Sequence, residues 1–210
     1  MNRRFFSHFA GASLALALLL AAPLTRASDE APDALIKRTS TEVLDSIKSD
    51  KAIQSGDVSK IIALVDSKVM PNVNFTRMTA AAVGRNWRQA TPEQQKRLQD
   101  EFKTLLVRTY SGALAQVKDQ TVSVKPLRAS PADTEVQVRT EIIGRGDPIQ
   151  LDYRMEKTPS GWKIYDLNVL GIWLVETYRT QFAQEINAKG IDGLIASLAE
   201  RNKSNNAKKS

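Results

Sequence analysis

The sequence has no cysteine, and its single histidine, His8, lies close to the N-terminus. Without cysteine the chain has neither a thiol redox centre nor a disulfide, so its stability must come from a hydrophobic core. Beyond His8 it also lacks the histidine that a Ser-His-Asp triad, a Cys-His pair or a His-based zinc site requires. It contains no phosphate-binding GxxxxGKS or GxxxxGKT loop. These absences leave carboxylates and tyrosines as the remaining candidates for catalysis.

The N-terminal segment has the features of a secretory signal. Arg3 and Arg4 precede an apolar stretch at 9–22, and a small-residue exit follows at 25–27. The apolar stretch is shorter than the roughly 20 residues that a membrane-spanning helix needs. No cysteine follows that could carry a lipid anchor. We therefore predict that residues 1–27 are cleaved after Ala27 and that the product is a soluble protein of the bacterial periplasm.

The formal charge of +7 is concentrated at the two ends of the chain. Three basic residues belong to the predicted signal and four lie beyond Glu200, so residues 28–200 carry 23 basic and 23 acidic side chains. A nucleic-acid-binding protein presents a basic face or stripe, which a neutral domain lacks. We expect no nucleic-acid partner. The segment 201–210 is basic and polar, and it is predicted to be a disordered tail.

Helical spacing of apolar residues predicts helices in the first half of the chain. One covers 30–49, and a second covers 58–70 behind Asp57 as its N-cap. A short third helix from Phe75 to Val83 closes at Gly84.

The fourth helix has the clearest start, because Thr91-Pro92-Glu93-Gln94 matches a capping box with proline at the first helical position. Its apolar stripe consists of Leu98, Phe102, Leu105, Leu106, Tyr110, Leu114 and Val117.

After Lys118 the pattern changes from helical to alternating. The alternation predicts four strands at 122–126, 134–143, 149–157 and 162–170. Their short connections favour an antiparallel meander, with Gly144 and Gly146 in a hairpin turn. Two helices follow, one ending at Gly190 and one opened by Asp192. We predict an α+β fold in which helices cover the apolar side of a twisted four-stranded antiparallel sheet.

Two questions stay open from the residues alone. Asp152 and Asp166 on the strands, with the tyrosines, allow acid–base catalysis in principle. No arrangement of these residues rises above chance, and a place on the polar strand face for Asp152 and a local cap or pair for Asp166 account for both carboxylates. The apolar and aromatic side chains between helices and sheet form either an ordinary core, as in a structural or adaptor domain that is not an enzyme, or a pocket that stays open to hold a ligand. Composition does not separate these alternatives.

A family resemblance bears on both questions. Residues 69–110, the segment from Gly161 to Phe182 and the stretch 189–198 closely resemble the MlaC or toluene-tolerance family of periplasmic phospholipid-binding proteins. The specific marks, in family order over essentially the whole mature chain, are Pro71, Phe75, Gly84, Trp87, Thr91, Pro92, Leu105, Leu106, Tyr110, Trp162, Lys163, Tyr165, Asp166, Gly171 and the run 190–194.

The resemblance implies a single lipid-binding domain over 28–200, similar to the nuclear-transport-factor-2 cone with a helical subdomain. Its helical part would cover about 30–118, its sheet about 120–170 and its C-terminal helices about 171–200. It also implies an interior lipid pocket, no cofactor besides bound phospholipid, no metal and no catalytic residue. The residues predicted to contact lipid are Phe75, Met78, Phe102, Leu106, Tyr110, Val138, Ile142, Leu151, Tyr153, Arg154, Met155, Leu174 and Tyr178.

Members of this family are thought to carry phospholipid between an outer-membrane lipoprotein–porin complex and an inner-membrane ABC transporter with an MCE-domain subunit. The resemblance thus implies a carrier, expected to be a monomer, that maintains the lipid asymmetry of the outer membrane. One departure is Trp173, where the family commonly has a small residue. The indole either narrows the pocket or packs on the sheet.

Overall fold

The chain forms helices, then an antiparallel sheet, then a long helical stretch, in the order that the sequence predicts. The computed structural model describes residues 30–130 and 132–207, the side chains of 205–207 excepted. The predicted signal at 1–27 lies outside the described residues. The helices are α1 (Pro32–Ser49), α2 (Lys51–Gln54), α3 (Val58–Leu64), α4 (Phe75–Val83), α5 (Pro92–Ala115) and α6 (Leu174–Ala207). The strands are β1 (Thr121–Val124), β2 (Glu135–Ile143), β3 (Ile149–Thr158), β4 (Gly161–Val169) and β5 (Ile172–Trp173).

Side-chain caps fix the starts of α3 and α5. The Asp57 carboxylate accepts hydrogen bonds from two backbone N–H groups at the start of α3. Thr91 and Gln94 form the predicted capping box of α5, with Pro92 at the first helical position. The predicted second helix is α-helical only to Leu64, because a π-helical turn over Val65–Val69 and a short 3-10 turn continue the chain.

The sheet is antiparallel throughout, in the order β1-β2-β3-β4-β5. The predicted α+β meander is confirmed, but the prediction of four strands is wrong by one. β5 has two residues, Ile172 and Trp173, and is too short to produce an alternating pattern. The β3–β4 register shifts by one residue at Arg154/Met155, which places a bulge opposite this point on β4.

The C-terminal helix α6 is interrupted at Gly190, where φ is 72° and ψ is −177°. This conformation is accessible only to glycine, so the break separates two helical segments near the predicted boundary. Helix α6 then continues to Ala207, which corrects the prediction of a disordered tail from residue 201. The physical reason is an anchor: Asn202 is buried, and its side-chain amide donates to Glu101 of α5.

Three apolar clusters hold the helices to the sheet. The largest joins α4, α5 and α6 around Phe102 and Phe182. A second joins α1, α2, α3 and α5 around Ile47 and Ile61. The third packs Ile36 of α1 on the sheet residues of β2, β3 and β4. In residues 30–130 and 132–207, no helix is both long and apolar enough to cross a membrane.

Candidate functional site between the helices and the sheet

The strand register divides the side chains of the sheet between two faces. Because Val138 pairs with Tyr153 and Tyr153 with Leu167, these three side chains share one face. The helices pack on this face, since both α1 and the α4–α5–α6 cluster contact its residues. The opposite face carries the polar side chains Gln137, Gln150, Asp152, Arg154, Asp166 and Asn168.

About half of the predicted lipid contacts are packed core. These six side chains are at most 9% exposed: Met78, Phe102, Val138, Met155, Leu174 and Tyr178. The Phe102 ring lies edge-on to Tyr178 at 4.9 Å and to Phe182 at 5.1 Å between centroids, distances at which aromatic rings attract. Their surfaces are taken up by neighbouring protein atoms. These six side chains therefore stabilise the residues around the site and have little surface left for contact with a ligand.

The other apolar predictions keep accessible surface although they lie between the two layers. We call this half-buried set the inner lining: Phe75, Leu106, Tyr110, Ile142, Leu151 and Tyr153. Leu106 and Tyr110 of α5 pack against the edge of the α4–α5–α6 cluster, and Tyr153 packs against the α1–sheet cluster. The inner lining therefore borders both clusters and supplies the apolar surface on which acyl chains could lie. Its role in binding stays a prediction.

Tyr153 occupies the centre of the apolar sheet face. Burial raises the pKa of its phenol, while hydrogen bonding with the hydroxyls of Ser40 and Thr140 opposes the shift. Its side chain is nevertheless only half-buried. Tyr153 therefore packs against the α1–sheet cluster and keeps a side-chain surface that its neighbours do not fully cover. Because the hydroxyl of Tyr153 forms hydrogen bonds with protein groups, its ring can contact apolar groups at little cost in free energy.

Two tyrosines of the helices, Tyr110 of α5 and Tyr178 of α6, lie near each other at the α4–α5–α6 cluster. Burial raises the pKa of Tyr110, and the nearby phenol of Tyr178 raises it further. Burial likewise raises the pKa of Tyr178, opposed by a hydrogen bond to Thr109. Both phenols are therefore neutral over the physiological range. They add amphipathic surface to an uncharged interior.

Arg154 faces away from the inner lining. It lies on the polar face of the sheet, where its guanidinium is 3.1 Å from the Asp166 carboxylate and stacks 3.8 Å from the centroid of the Trp173 ring. The strand alternation that places Tyr153 inside must place its neighbour outside. This geometry places Arg154 on the sheet face away from Tyr153, so its contact with lipid stays a prediction, and it places Trp173 against Arg154 on that same face.

Asp166 has a structural role in the same region. One oxygen accepts hydrogen bonds from the backbone N–H groups of Leu167 and Val175, and the other pairs with Arg154. Burial raises the pKa of Asp166, while these partners oppose the shift. The carboxylate thus ties the start of α6 to β4.

Four half-buried apolar residues extend the site beyond the predicted set, namely Leu114, Val122, Leu167 and Val169. Val169 is paired directly with Leu151, and Val122 with Ile142. The bulge changes which residues of β4 face the helices. Up to Ile164 these are the even-numbered residues, and from Leu167 onward they are the odd-numbered ones. The sequence carries this signal as a break in alternation near Tyr165.

Two hollows on the surface are lined by none of the inner-lining residues. One of about 230 Å³ lies between α4 and α6 beside Arg85 and Arg179, and one of about 370 Å³ lies beside Lys118 and Arg145. Among residues 30–130 and 132–207 no group of three or more His, Cys, Asp or Glu side chains could hold a metal ion. The inner lining is an apolar surface to which both layers of the fold contribute.

Comparison with known proteins decides the family. The sequence profile described as MlaC protein matches residues 37–200, which is most of the chain. The chain belongs to the MlaC family. The resemblance predicted from the sequence is thereby confirmed, and its marks have structural roles: Thr91 caps α5, Gly84 closes α4 and Gly190 breaks α6.

Individual MlaC-family relatives agree with this assignment. The toluene tolerance protein ttg2D of Pseudomonas putida is 27% identical over 179 residues, which are 84% of this chain and 83% of the relative. The intermembrane phospholipid transport system binding protein MlaC of Haemophilus influenzae is 22% identical over 180 residues, 84% of each chain.

A solved structure is also similar to this MlaC-family chain. It is the phospholipid-binding protein from Ralstonia solanacearum, in complex with a phospholipid. The two chains are 49% identical, with a TM-score of 0.80, and the match covers 82% of this chain and 97% of the other. The predicted fold is thus shared with a phospholipid-binding relative.

Proposed function

We propose that this protein is a phospholipid carrier that holds acyl chains on the inner lining, between the helices and the apolar face of the sheet. The observation that carries the proposal is a half-buried apolar surface on both layers, with Tyr153 on the sheet face that the helices cover and Leu106 and Tyr110 on α5. The phospholipid in the complex of the 49% identical relative supports the same ligand class.

The energetics of acyl chains favour an interior site. A two-tailed lipid exposes about 30 methylenes to water, each costing about 0.8 kcal/mol, so a carrier must supply roughly 25 kcal/mol of burial. A surface groove shields too little of this area. The headgroup keeps its hydration at lower cost outside, which suits a carrier that does not discriminate between headgroups.

The proposed route runs across the bacterial periplasm. The protein would exchange phospholipid with an outer-membrane lipoprotein–porin complex and with an inner-membrane ABC transporter that has an MCE-domain subunit. It would act as a monomer that reaches the periplasm by cleavage of residues 1–27, without a nucleic-acid partner, a metal or a cofactor other than the bound lipid. In this role it would maintain outer-membrane lipid asymmetry.

Native mass spectrometry of the protein purified from periplasmic extract tests the carrier role. We expect a main species whose mass exceeds that of the chain by one phospholipid, and we expect extraction with organic solvent to identify the lipid. The same protein refolded from denaturant without lipid is the control and should lack the added mass. A ligand-free main species in gently prepared extract would contradict the proposal.

An enzyme of the same cone-shaped fold is the second candidate, supported by one observation. Asp152 is 4% exposed, and one of its oxygens has no hydrogen-bond partner among the described residues. The sheet, however, separates this carboxylate from Tyr110 and Tyr153, so an acid and a phenol do not share a pocket. We therefore propose no catalytic role. Phospholipid hydrolysis that depends on Asp152 would contradict this view.

A further inference from the structure

A surface hollow of about 230 Å³ lies where the end of α4 meets α6. Its polar lining consists of four side chains: Arg85, Asn86, Arg179 and Asn187. We call these four residues the donor set. Arg85 and Asn86 belong to a 3-10 helix over Gly84–Gln89, and the other two lie on α6. No residue of the inner lining borders the hollow, so it is separate from the surface proposed for acyl chains.

Local backbone geometry brings the donor set together. Helix α4 ends at Gly84, whose φ of 67° favours glycine, and the 3-10 helix that carries Arg85 starts there. Arg179 and Asn187 lie about two turns apart on α6 and therefore share one face of this helix. A Cβ atom at Gly84 would lie 3.5 Å from the Nε atom of Arg179. The guanidinium group of Arg179 thus reaches the end of α4, where Arg85 follows in the chain.

The donor set has no partner within the part of the chain that the structure describes. Neither arginine forms an ion pair there, and neither asparagine side chain forms a hydrogen bond. No acidic residue lines the hollow. All four side chains therefore have free N–H groups at one space.

The charge at the hollow is positive. Arg88 follows Arg85 by one turn of the 3-10 helix, so it adds a third cation on the same side. Arg88 likewise has no ion pair with a described residue. Residues 28–200 are neutral overall, so the unbalanced arginines are a local feature of this surface. Like charges at one hollow repel each other, and a bound anion removes this repulsion.

The two glutamates that flank the α6 arginine in sequence bind other cations. The Glu176 carboxylate is 3.4 Å from the guanidinium of Arg154, on the polar side of the sheet. The Glu185 carboxylate is 3.3 Å from the ammonium of Lys189 and 3.4 Å from the guanidinium of Arg201. Neither glutamate neutralises the hollow, so its positive charge is available to an anion from outside the chain.

We propose that the hollow binds a phosphate group, either the free ion or the phosphate of a lipid headgroup at a membrane surface. The oxygens of a carboxylate lie in one plane and match a single guanidinium fork. Those of a tetrahedral phosphate point in different directions and accept hydrogen bonds from donors on two elements of the fold. The volume of about 230 Å³ equals that of several water molecules at about 30 Å³ each, so a phosphate group fits with part of its hydration shell. This inference goes beyond the carrier function and does not depend on it.

Removing either arginine of the donor set should weaken phosphate binding and leave the fold intact. Arg85 and Arg179 are exposed and have no partner among the described residues, so Arg85→Gln and Arg179→Gln should melt at the wild-type temperature. Each change should weaken phosphate binding by about tenfold or more, as for the loss of charge-assisted hydrogen bonds. Arg179→Lys keeps the charge without the fork, and its affinity should lie between those of the wild type and Arg179→Gln.

The matched control is Arg128→Gln. Arg128 is exposed in the β1–β2 connection, and it too has no ion pair with the residues that the structure describes. The control removes the same charge at a distance from the donor set and should bind phosphate like the wild type.

The measurement is an NMR titration of the isotope-labelled mature protein with inorganic phosphate at constant pH and ionic strength, with chloride as the balancing anion. We expect saturable shifts of the Asn86 and Asn187 side-chain amides and of the Gly84 backbone amide, half complete at or below about 1 mM phosphate. A titration with chloride alone should not produce these shifts.

A second measurement distinguishes the two sources of phosphate. If the lipid headgroup is the natural source, the wild type should co-sediment with vesicles of phosphatidylethanolamine and phosphatidylglycerol. Inorganic phosphate at constant ionic strength should then displace it, and the double variant Arg85→Gln/Arg179→Gln should stay in solution. If the free ion is the source, the NMR titration should saturate and the vesicles should bind neither protein.

Three results would overturn the inference. Shifts that grow linearly with phosphate, or that chloride reproduces, would show that the hollow only screens charge. Wild-type affinity in the double variant would show that the arginines do not hold the anion. An equal loss of affinity in Arg128→Gln would reduce the effect to net charge. Failure of the carrier function leaves all three readouts unchanged, because the titration does not require bound lipid.

Discussion

Replacing Tyr110 by glutamate separates a lipid-holding interior from a plain core. Tyr110 is half-buried at the edge of the α4–α5–α6 cluster, so the loss of its apolar contacts should cost about 1–2 kcal/mol of folding stability. A carboxylate against acyl chains loses hydration without gaining a partner. A penalty of about 3 kcal/mol lowers lipid affinity by roughly 150-fold. The variant should therefore fold and lose its lipid.

The assay compares thermal stability and co-purified phospholipid on one sample. Tyr110→Phe keeps the ring and should retain lipid, and Ala113→Glu places the same charge at an exposed position of α5 and should also retain it. A pH series adds a second check. Burial should raise the pKa of the new glutamate, so below that pKa the neutral acid should bind lipid again.

Full lipid occupancy of a well-folded Tyr110→Glu protein at neutral pH would refute the reasoning. It would mean that the Tyr110 side chain does not face the acyl chains. Loss of the fold together with the lipid would instead indicate a tightly packed core at this position, as expected for a charge placed at fully buried Phe102. The two readouts thus distinguish the lining from the core.

Three further outcomes are expected. Gly190→Ala should lower the free energy of unfolding by about 1–3 kcal/mol because the φ of 72° is strained for alanine, whereas Gly112→Ala within α5 should raise it by about 0.5–1 kcal/mol; equal effects in denaturant melts would count against this account. Since burial raises the pKa of Asp166, its contribution to stability should be complete below its unfolded pKa of about 3.9 and be lost as pH rises through the folded value. Asp166→Asn should flatten this part of the pH profile of unfolding, and an unaltered profile would disprove it. The intact mass of periplasmic protein should correspond to a chain that begins at Ser28, and a periplasmic form that retains the leader would contradict the cleavage prediction.

Local signals in the sequence were sufficient for the order and type of the elements. The capping box at Thr91 places the start of α5, and Gly84 and Gly190 place two helix ends, because each depends on contacts or backbone conformations within a few residues. The alternating pattern likewise predicts the β2–β4 meander, since period two follows from strand geometry.

Features that depend on distant residues were not predictable in this way. Ordered helix beyond residue 200 depends on the contact between Asn202 and Glu101. The polar, basic composition of residues 201–210 by itself predicts disorder, because composition contains no information about this contact. The two-residue strand β5 forms because β4 offers it a pairing edge.

The candidate site shows the same division. The family resemblance predicted the elements that line it, and strand alternation alone already places Arg154 opposite Tyr153. Only the tertiary structure divides the apolar side chains into packed core, such as Phe102, and half-buried lining, such as Tyr110, because burial depends on how two layers meet. The bulge that brings Leu167 inward is likewise a product of strand pairing, a non-local interaction.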